Sequence, residues 1–203
     1  MPIPVLTALI IIFVIWLQYE SRRSGKQSTQ TKDSFWEKEK DSNVIKRMDI
    51  SSLDYITIPF DRLPLADHID TTINSYRNTV LKLADKKIVN LTGLSNTELK
   101  YKYGTPNLTI LSEYDNNYTV LVSFLQKWAE RLYEQGFESE ALPLLEFAIS
   151  CGSDVSSSYI LLASIYKHLS TPQKIDHLLE SVQNSSIMIK DKLVGELNTI
   201  KTS

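Results

Sequence analysis

The residues best suited to chemistry in this chain of 203 residues are three histidines and one cysteine, and none belongs to a recognisable motif. His68, His168 and His177 lack the short spacings of metal ligands, and the single Cys151 cannot supply a Cys-x-x-Cys pair. The six glycines are scattered singly, so the sequence contains no glycine-rich phosphate loop. The sequence therefore predicts a protein that is not an enzyme and that needs no metal or cofactor.

Cys151 and the neighbouring carboxylates favour structural roles. Cys151 stands at the end of a helical pattern, where a small buried residue is expected, and the sequence offers no partner that would activate it as a nucleophile. A single cysteine cannot form an intramolecular disulfide, which favours a reducing compartment. Glu138 and Glu140 are two residues apart and would face different sides of a helix, so they do not form an acid–base pair.

The first apolar segment indicates attachment to a membrane. Residues 3–17 carry no charge and, with their flanks, reach about 18 residues, the short end of a bilayer span. Trp16 and Tyr19 stand where an interfacial aromatic belt would lie, and Arg22 and Arg23 follow. Because positive charge flanks only this end, we expect a single-pass plasma-membrane protein with its N-terminus outside and its C-terminal domain in the cytoplasm.

Two other interpretations of this segment stay open. A cleaved secretory signal normally begins with positive charge and ends in small residues, whereas this segment begins neutral and ends in Trp-Leu-Gln-Tyr-Glu. An exported protein that faces outward would fit four Asn-x-Ser/Thr triplets, which a eukaryotic lumen could glycosylate. We interpret these triplets as chance, and two of them as helix caps. The triplets begin at Asn90, Asn107, Asn117 and Asn184.

The charge distribution separates a basic collar from an acidic body. Residues 19–47 contain eight Lys or Arg and five Asp or Glu, a net charge of +3, whereas the whole chain carries −2. No global basic field is available to hold nucleic acid. The collar is typical of a linker at a membrane surface, and a solvated linker without lipid contact explains it equally well.

The sequence divides into an anchor, a linker and an all-α body. Residues 1–19 form the anchor, residues 20–47 a flexible polar linker with a possible short helix from Phe35, and residues 48–65 an extended segment. The extended segment contains a β-like run that Pro59 and Pro64 interrupt, and a sheet there would need a partner chain. A helical domain over residues 66–121 and a helical array over residues 122–203 follow.

Helical periodicity and cap residues set the predicted helix ends. Ser95 and Glu98 form a capping-box pattern that begins one helix, and Gly104 ends it. Asp115, Asn116 and Asn117 predict a turn between a short helix and a long one. The predicted helices cover residues 68–87, 95–103, 108–113, 118–134, 138–150, 156–169, 172–183 and 187–200.

Side chains of similar type recur at a fixed interval in the last third of the chain. Four residues with the spacing of one helix face are each followed, at the same distance along the chain, by a residue of similar type. The first four are Leu125, Trp128, Ala129 and Leu132, and the matching four are Tyr159, Leu162, Ala163 and Tyr166. We call this spacing the repeat interval. It equals the period of the tetratricopeptide repeat, about 34 residues, and Gly136 at the first turn also fits that family.

The tetratricopeptide resemblance covers about residues 122–183. It implies an α-solenoid of about two repeats closed by a capping helix. The second unit departs from the family pattern, since Ser170 stands where Gly136 would recur and Ile175 replaces the small Ala141.

More broadly, the chain resembles membrane-anchored proteins of clostridium-like Gram-positive bacteria. The features that carry this resemblance are the single leading helix, the collar Phe35-Trp36-Glu37, the stretch from Asp54 to Pro59 and the helical tail. The resemblance implies a cytoplasmic helical domain at the plasma membrane and supplies no activity.

Tetratricopeptide-like arrays bind peptides or protein surfaces in a concave groove. We therefore expect a non-catalytic, membrane-tethered scaffold or adaptor with a protein or peptide partner, held to the membrane by residues 3–17. An accessory subunit of a membrane complex, packed through its transmembrane helix, is the alternative. The residues expected to line the groove are Gln126, Glu130, Tyr133, Ile160, Ser164 and Lys167.

Overall fold

Helices dominate the part of the chain that the structure describes. The computed structural model describes Phe13, Trp16, Leu17 and residues 45–184 and 190–202. Within these residues there are seven α-helices and no β-strand, which confirms the all-α class. The helices are α1 (Thr71–Leu81), α2 (Asn96–Tyr103), α3 (Leu108–Glu134), α4 (Glu138–Ser150), α5 (Ser156–His168), α6 (Pro172–Asn184) and α7 (Lys190–Thr202), with short 3-10 helices at Phe60–Arg62 and Thr105–Asn107.

The described residues fall into two compact units. Residues 45–49 and 95–108 belong to the first unit, and residues 50–94 and 109–202 to the second. In the first unit the predicted capping box is confirmed, because Ser95 accepts from the N–H of Glu98 while the Glu98 carboxylate accepts from the N–H of Ser95. The Ser95 hydroxyl also donates to the Glu98 carboxylate at 2.7 Å, and this bond, with the one from the Ser95 N–H, holds the pKa of Glu98 below its usual value.

Asn107 organises the first unit. Its side-chain amide, fully buried, donates to the carbonyls of Met48 and Tyr103 at 2.7 Å, and its carbonyl oxygen accepts from Arg47 at 3.0 Å. Gly104 ends α2 with φ of +84°, and a Cβ at this position would collide with the carbonyl of Lys46. A local amide and a glycine thus hold residues 46–48 against the end of α2.

The predicted turn at residues 115–117 is wrong, because α3 runs through it as one helix of 27 residues. The polar side chains that suggested a turn bond elsewhere. The Asp115 carboxylate accepts from the N–H of Leu91 at 3.1 Å, and the Asn117 amide donates to the carbonyl of Lys87 at 3.0 Å. These side chains therefore do not compete with the helix backbone. For the same reason Asn117 lies inside a helix and does not cap one.

The predicted extended segment has little regular structure between residues 50 and 65. Tyr55 forms one isolated antiparallel bridge with Val89, and the N–H of Ile56 donates to the carbonyl of Ile88 at 2.9 Å. This single bridge pairs the segment with the same chain and forms no strand within the described residues, so the expectation that a sheet would need a partner chain stays a prediction. Helix α1 is also shorter than predicted, beginning at Thr71 after its cap Asp70 and ending before the turns at residues 82–86.

Helices α4 to α7 are regularly spaced along the chain. Helix α6 begins one repeat interval after α4, and the described part of α7 lies one repeat interval after α5. Helix α5 packs against α4, α6 and α7, and α6 packs against α7. The predicted ends of α4 and α5 and the predicted beginning of α6 are found to within one residue, and residues 187–189 of the predicted last helix lie outside the described residues.

The turns after α3 and α5 share the same backbone hydrogen bonds. After α3, Gly136 donates to the carbonyl of Tyr133 and Phe137 to that of Leu132, both at 2.9 Å. After α5, the residues one repeat interval later donate in the same pattern at the same distances. Both turns have the Schellman arrangement, in which the residue after the helix takes a left-handed conformation.

The apolar core of the second unit is centred on α3, α4 and α5. Trp128 is fully buried, and the small Ala129, Ala141 and Ala163 around it have no exposed surface. Small residues at these positions let helices approach closely, while the neighbouring leucines fill the space between them. Burial of one such leucine side chain contributes about 1.5–3 kcal/mol.

The predicted anchor, linker and short helix from Phe35 lie outside the described residues, with few exceptions. Phe13, Trp16 and Leu17 have helical backbone and exposed side chains, and the Phe13 and Trp16 rings stack with centroids 6.0 Å apart. Ile45 and Lys46 are not helical. Over the described ranges, we find no helix with both the length and the hydropathy that crossing a membrane requires.

Candidate functional site

The predicted groove residues occupy one stripe on each of two helices. On both α3 and α5 they stand four and then three residues apart, which places them on one helix face, and each α5 residue follows its α3 counterpart by one repeat interval. Glu130 and Lys167 are exposed, whereas Gln126 is only 7% exposed. The exposed residues of the two stripes are therefore one acidic side chain on α3 and one basic side chain on α5. The others, Tyr133, Ile160 and Ser164, are partly buried.

Tyr133 connects the two helices of the predicted groove. Its ring stacks on the ring of His168, at the end of α5, with centroids 6.3 Å apart and an angle of 24°. Nδ1 of His168 lies 3.0 Å from Oε1 of Glu138, in the first turn of α4. The C-terminal ends of α3 and α5 therefore meet at the beginning of α4. The hydroxyl of Ser164, by contrast, donates to the carbonyl of Ile160 within α5.

A second histidine lies near the same turn. Nε2 of His68 is 2.9 Å from Oε2 of Glu140, and the His68 ring meets that of Phe137 edge to face with centroids 5.0 Å apart. Sequence reasoning missed both histidine–carboxylate pairs, because the partners are 72 and 30 residues apart. No local spacing could have indicated them.

These pairs are suited to holding elements together. Each histidine meets one carboxylate, and over the described residues no group of three histidine, cysteine, aspartate or glutamate side chains could hold a metal ion. Glu138 and Glu140 contact different histidines, as expected for residues two apart on a helix. The third histidine, His177, is exposed and lies 3.7 Å from Glu180 on its own helix.

Cys151 borders a cavity of about 540 Å³, which Asn90, Thr92 and Phe147 also line. Burial raises the pKa of the Cys151 thiol to about 11, so the thiolate that a nucleophile requires is scarce at neutral pH. The Asn90 amide donates to the hydroxyl of Tyr118 at 3.0 Å and to the carbonyl of Cys151 at 3.1 Å. Burial also raises the pKa of Tyr118. This network fixes the loop at residues 151–152 against α3.

Comparison with known proteins gives no relative: no family model, no curated protein and no solved structure matches this chain.

Proposed function

We propose that this protein is a membrane-tethered, non-catalytic scaffold or adaptor that binds a protein partner on a tetratricopeptide-like helical array. The observation that carries the proposal is that helix positions and turn hydrogen bonds recur at the repeat interval, which equals the tetratricopeptide period. A period shared by backbone and side chains is stronger support than either alone.

Small and large residues recur at this interval in the core. Ala129 and Ala163 have no exposed surface, and Ala141 and its counterpart Ile175 are both buried. Ile175 therefore takes the place of the small residue without leaving the core. Ser170 likewise adopts a left-handed φ of +54° where Gly136 has +83°. Ile175 and Ser170 differ in type from the family pattern, but they keep the burial and the backbone conformation of their counterparts. This supports an array in which the second unit keeps the geometry of the first.

Helix α7 supplies a third element of the array. Val194, Asn198 and Lys201 lie in α7 one repeat interval after the three groove residues of α5, so they continue the register of the predicted groove. The proposed array thus consists of two helix pairs and one further helix, α7, which corresponds to the predicted capping helix. The proposed binding face thus extends from α3 across α5 to α7.

The chemistry of the proposed face suits a mixed partner surface. Glu130 and Lys167 provide opposite exposed charges, and Tyr133 and Ile160 offer partly buried apolar surface between them. Exposed charges set partner choice and the rate of encounter, while apolar contacts supply affinity. We propose a protein segment with both charges and at least one apolar side chain as the partner.

The proposed tether is the apolar segment at residues 3–17. Phe13, Trp16 and Leu17 are exposed, helical and spaced three and four residues apart, so they present a continuous apolar face. An anchor raises the effective concentration of the body for partners at the same bilayer.

The proposed cytoplasmic orientation is supported by the asparagines of the glycosylation triplets. The side-chain amides of Asn90, Asn107 and Asn117 all donate hydrogen bonds inside the fold. A glycan on the amide nitrogen of Asn107, which is fully buried, would be incompatible with this packing. These triplets therefore lend no support to a glycosylated, outward-facing body.

The groove is tested by reversing its two exposed charges in the tagged full chain. The double variant Glu130→Lys with Lys167→Glu should lower partner recovery from membranes by about tenfold, because each reversed charge would then repel the charged group of the partner that the wild-type residue attracts. Replacement of Tyr133 or Ile160 would also disturb packing, so these residues are poorer choices.

A matched control reverses two exposed charges outside the predicted groove, Glu180→Lys with Lys192→Glu, whose side chains are 73% and 74% exposed. This control should leave recovery unchanged. Equal recovery by wild type, control and groove variant would reject the proposed face.

An accessory subunit of a membrane complex is the second candidate, favoured by the stacked Phe13 and Trp16 rings. Such a face could pack against another transmembrane helix. Replacing the anchor by an unrelated span separates the two proposals, because a scaffold should still recover its partner and a subunit should not.

A further inference from the structure

The loop Leu65–Asp70, here called the anchor loop, is fixed by a buried arginine. Arg77 of α1 is only 8% exposed, and one of its terminal nitrogens donates to the carbonyls of Leu65 and Ala66 at 3.0 and 2.7 Å. The other nitrogen lies 2.6 Å from the carboxylate of Asp67. One buried side chain thus holds three consecutive residues.

The second half of the anchor loop is held just as closely. The Asn74 side chain donates to the carbonyl of His68 at 2.7 Å and accepts from its N–H at 2.9 Å. Asp70 caps α1 by accepting from Thr72 at 2.8 Å, and it accepts from Arg131 of α3 at 2.7 Å. These bonds hold the pKa of Asp70 below its usual value. The loop is therefore ordered along its length.

This ordered loop presents an apolar side chain to solvent. Ile69 is fully exposed, at 104%, between the two held residues His68 and Asp70. Phe137, on which His68 packs, is 42% exposed. Ordering a loop costs conformational entropy, and here its tip buries nothing in return within the second unit. A rigid exposed apolar residue is the arrangement of a preorganised binding anchor.

An apolar cavity lies at the other end of α1. It measures about 460 Å³, its lining includes the buried Ile58, Leu83 and Ile88, and the exposed Lys86 and Lys87 stand on its rim. We call it the lysine pocket. Its volume lies in the range of pockets that accept a side chain or a small ligand.

The two surfaces have opposite charge. Five carboxylates lie within three residues of Ile69 or Phe137 in the sequence, and two arginines form ion pairs with them, a net charge of −3 with the histidines neutral. The lysine pocket is bordered by two ammonium groups, and the charges of Lys82 and Asp85, which are nearby in sequence, cancel. The acidic anchor loop would be repelled by an anionic bilayer and attracted by the lysines at the rim of the pocket. The carboxylates are those of Asp67, Asp70, Glu134, Glu138 and Glu140, and the arginines are Arg77 and Arg131.

We propose that the anchor loop of one copy inserts Ile69 into the lysine pocket of a second copy. The loop precedes the first residue of α1 and the pocket follows its last, so α1, 11 residues or about 16 Å long, separates them. One copy cannot fill its own pocket across that distance. The contact joins two different surfaces and therefore propagates head to tail. It does not depend on the proposed groove.

Sedimentation of the purified full chain in non-ionic detergent tests the proposal. The sedimentation coefficient should rise with protein concentration at about 50 mM NaCl and fall towards that of one copy at about 500 mM NaCl, because salt screens the complementary charges. Ile69→Asp should weaken association by at least about tenfold. Ile69→Ser is a second variant, and since the side chain is fully exposed, both should keep the wild-type helical circular dichroism.

A mixing experiment identifies the two surfaces. The pocket variant Ala84→Trp with Lys86→Glu fills and recharges the lysine pocket, since both residues line it. Neither variant should associate alone. Mixed together, they should form a species of two copies and nothing larger. The pocket variant supplies the one intact anchor loop, and the Ile69→Asp variant supplies the one intact lysine pocket.

Two controls separate this contact from other causes. Leu94→Asp changes an apolar residue of similar exposure to Phe137, at 39%, and should associate like wild type. The charge-reversal control Glu180→Lys with Lys192→Glu should also associate normally. A single copy at every concentration, or association that survives both Ile69→Asp and the pocket variant, would overturn the proposal. If the copies associated only through the membrane anchor, association would survive in both variants.

Discussion

At the scale of single residues, burial decides what Cys151 can do. Its thiol has a pKa of about 11 against an ordinary value of 9.0, because the folded chain disfavours the charged form. Two pKa units correspond to about a hundredfold smaller thiolate fraction near pH 8. We expect iodoacetamide to modify the native protein at least about a hundredfold more slowly than the chain in urea. Equal rates would contradict the buried thiol.

The same shift has a consequence for stability. Because the pKa of Cys151 is raised on folding, the unfolded thiol ionises first as pH rises. The contribution of the neutral thiol is complete below pH 9 and is lost between pH 9 and about 11. Cys151→Ser should therefore show a weaker loss of the free energy of unfolding across that window, as measured by urea titration at several pH values.

Ser170 and Gly136 test the cost of a left-handed residue at equivalent turns. Ser170 has φ of +54° and Gly136 has +83°. A side chain in this conformation costs about 1 kcal/mol, partly offset by the greater freedom of glycine in the unfolded chain. Ser170→Gly should raise the free energy of unfolding by about 0.5 kcal/mol, and Gly136→Ala should lower it by about 1 kcal/mol. Urea denaturation measures both, and effects of the same sign would contradict equivalent turns.

At the scale of elements, long-range side-chain bonds hold α3 to the segment at residues 87–91. Asp115 accepts from the N–H of Leu91, which is 5% exposed. Asp115→Ala leaves that buried N–H unpaired, and we expect a loss of about 1–3 kcal/mol in the free energy of unfolding. Asn116→Ala, at the exposed neighbouring residue, should change stability by less than about 0.5 kcal/mol. Similar losses in the two variants would contradict the role of Asp115.

The elements that the sequence predicts well are those with local causes. The capping box at Ser95 and Glu98 fixes the beginning of α2, because both hydrogen bonds lie within four residues. Glycine at the end of α2 and proline at the beginning of α6 act in the same local way. Apolar spacing then sets the buried faces of the helices between these ends.

The elements that the sequence predicts poorly depend on distant partners. Asp115 and the two asparagines after it are residue types that favour a turn. Asp115 and Asn117 instead bond to residues 91 and 87, which is compatible with a continuous helix. His68 gives no sequence signal of its contact with Glu140, since 72 residues separate them. The same holds for the anchor loop, whose order depends on Arg77 of the following helix.

At the scale of the whole molecule, the proposed function joins an apolar anchor to a helical body whose elements recur at the tetratricopeptide period. The anchor would hold the body at one bilayer, and the groove and the anchor loop would offer separate protein contacts there. Local enrichment at a membrane strengthens both contacts without new interactions. The proposed function therefore depends first on where the body lies.

Protease accessibility of the C-terminally tagged full chain in intact cells tests this location most directly. We predict that the chain sediments with membranes, that its body resists added protease in intact cells, and that it is cleaved once the membrane is opened. A periplasmic or surface protein of known exposure serves as the control for protease activity. Cleavage of the body in intact cells, or recovery of the chain in the soluble fraction without detergent, would contradict the membrane-tethered, cytoplasmic body.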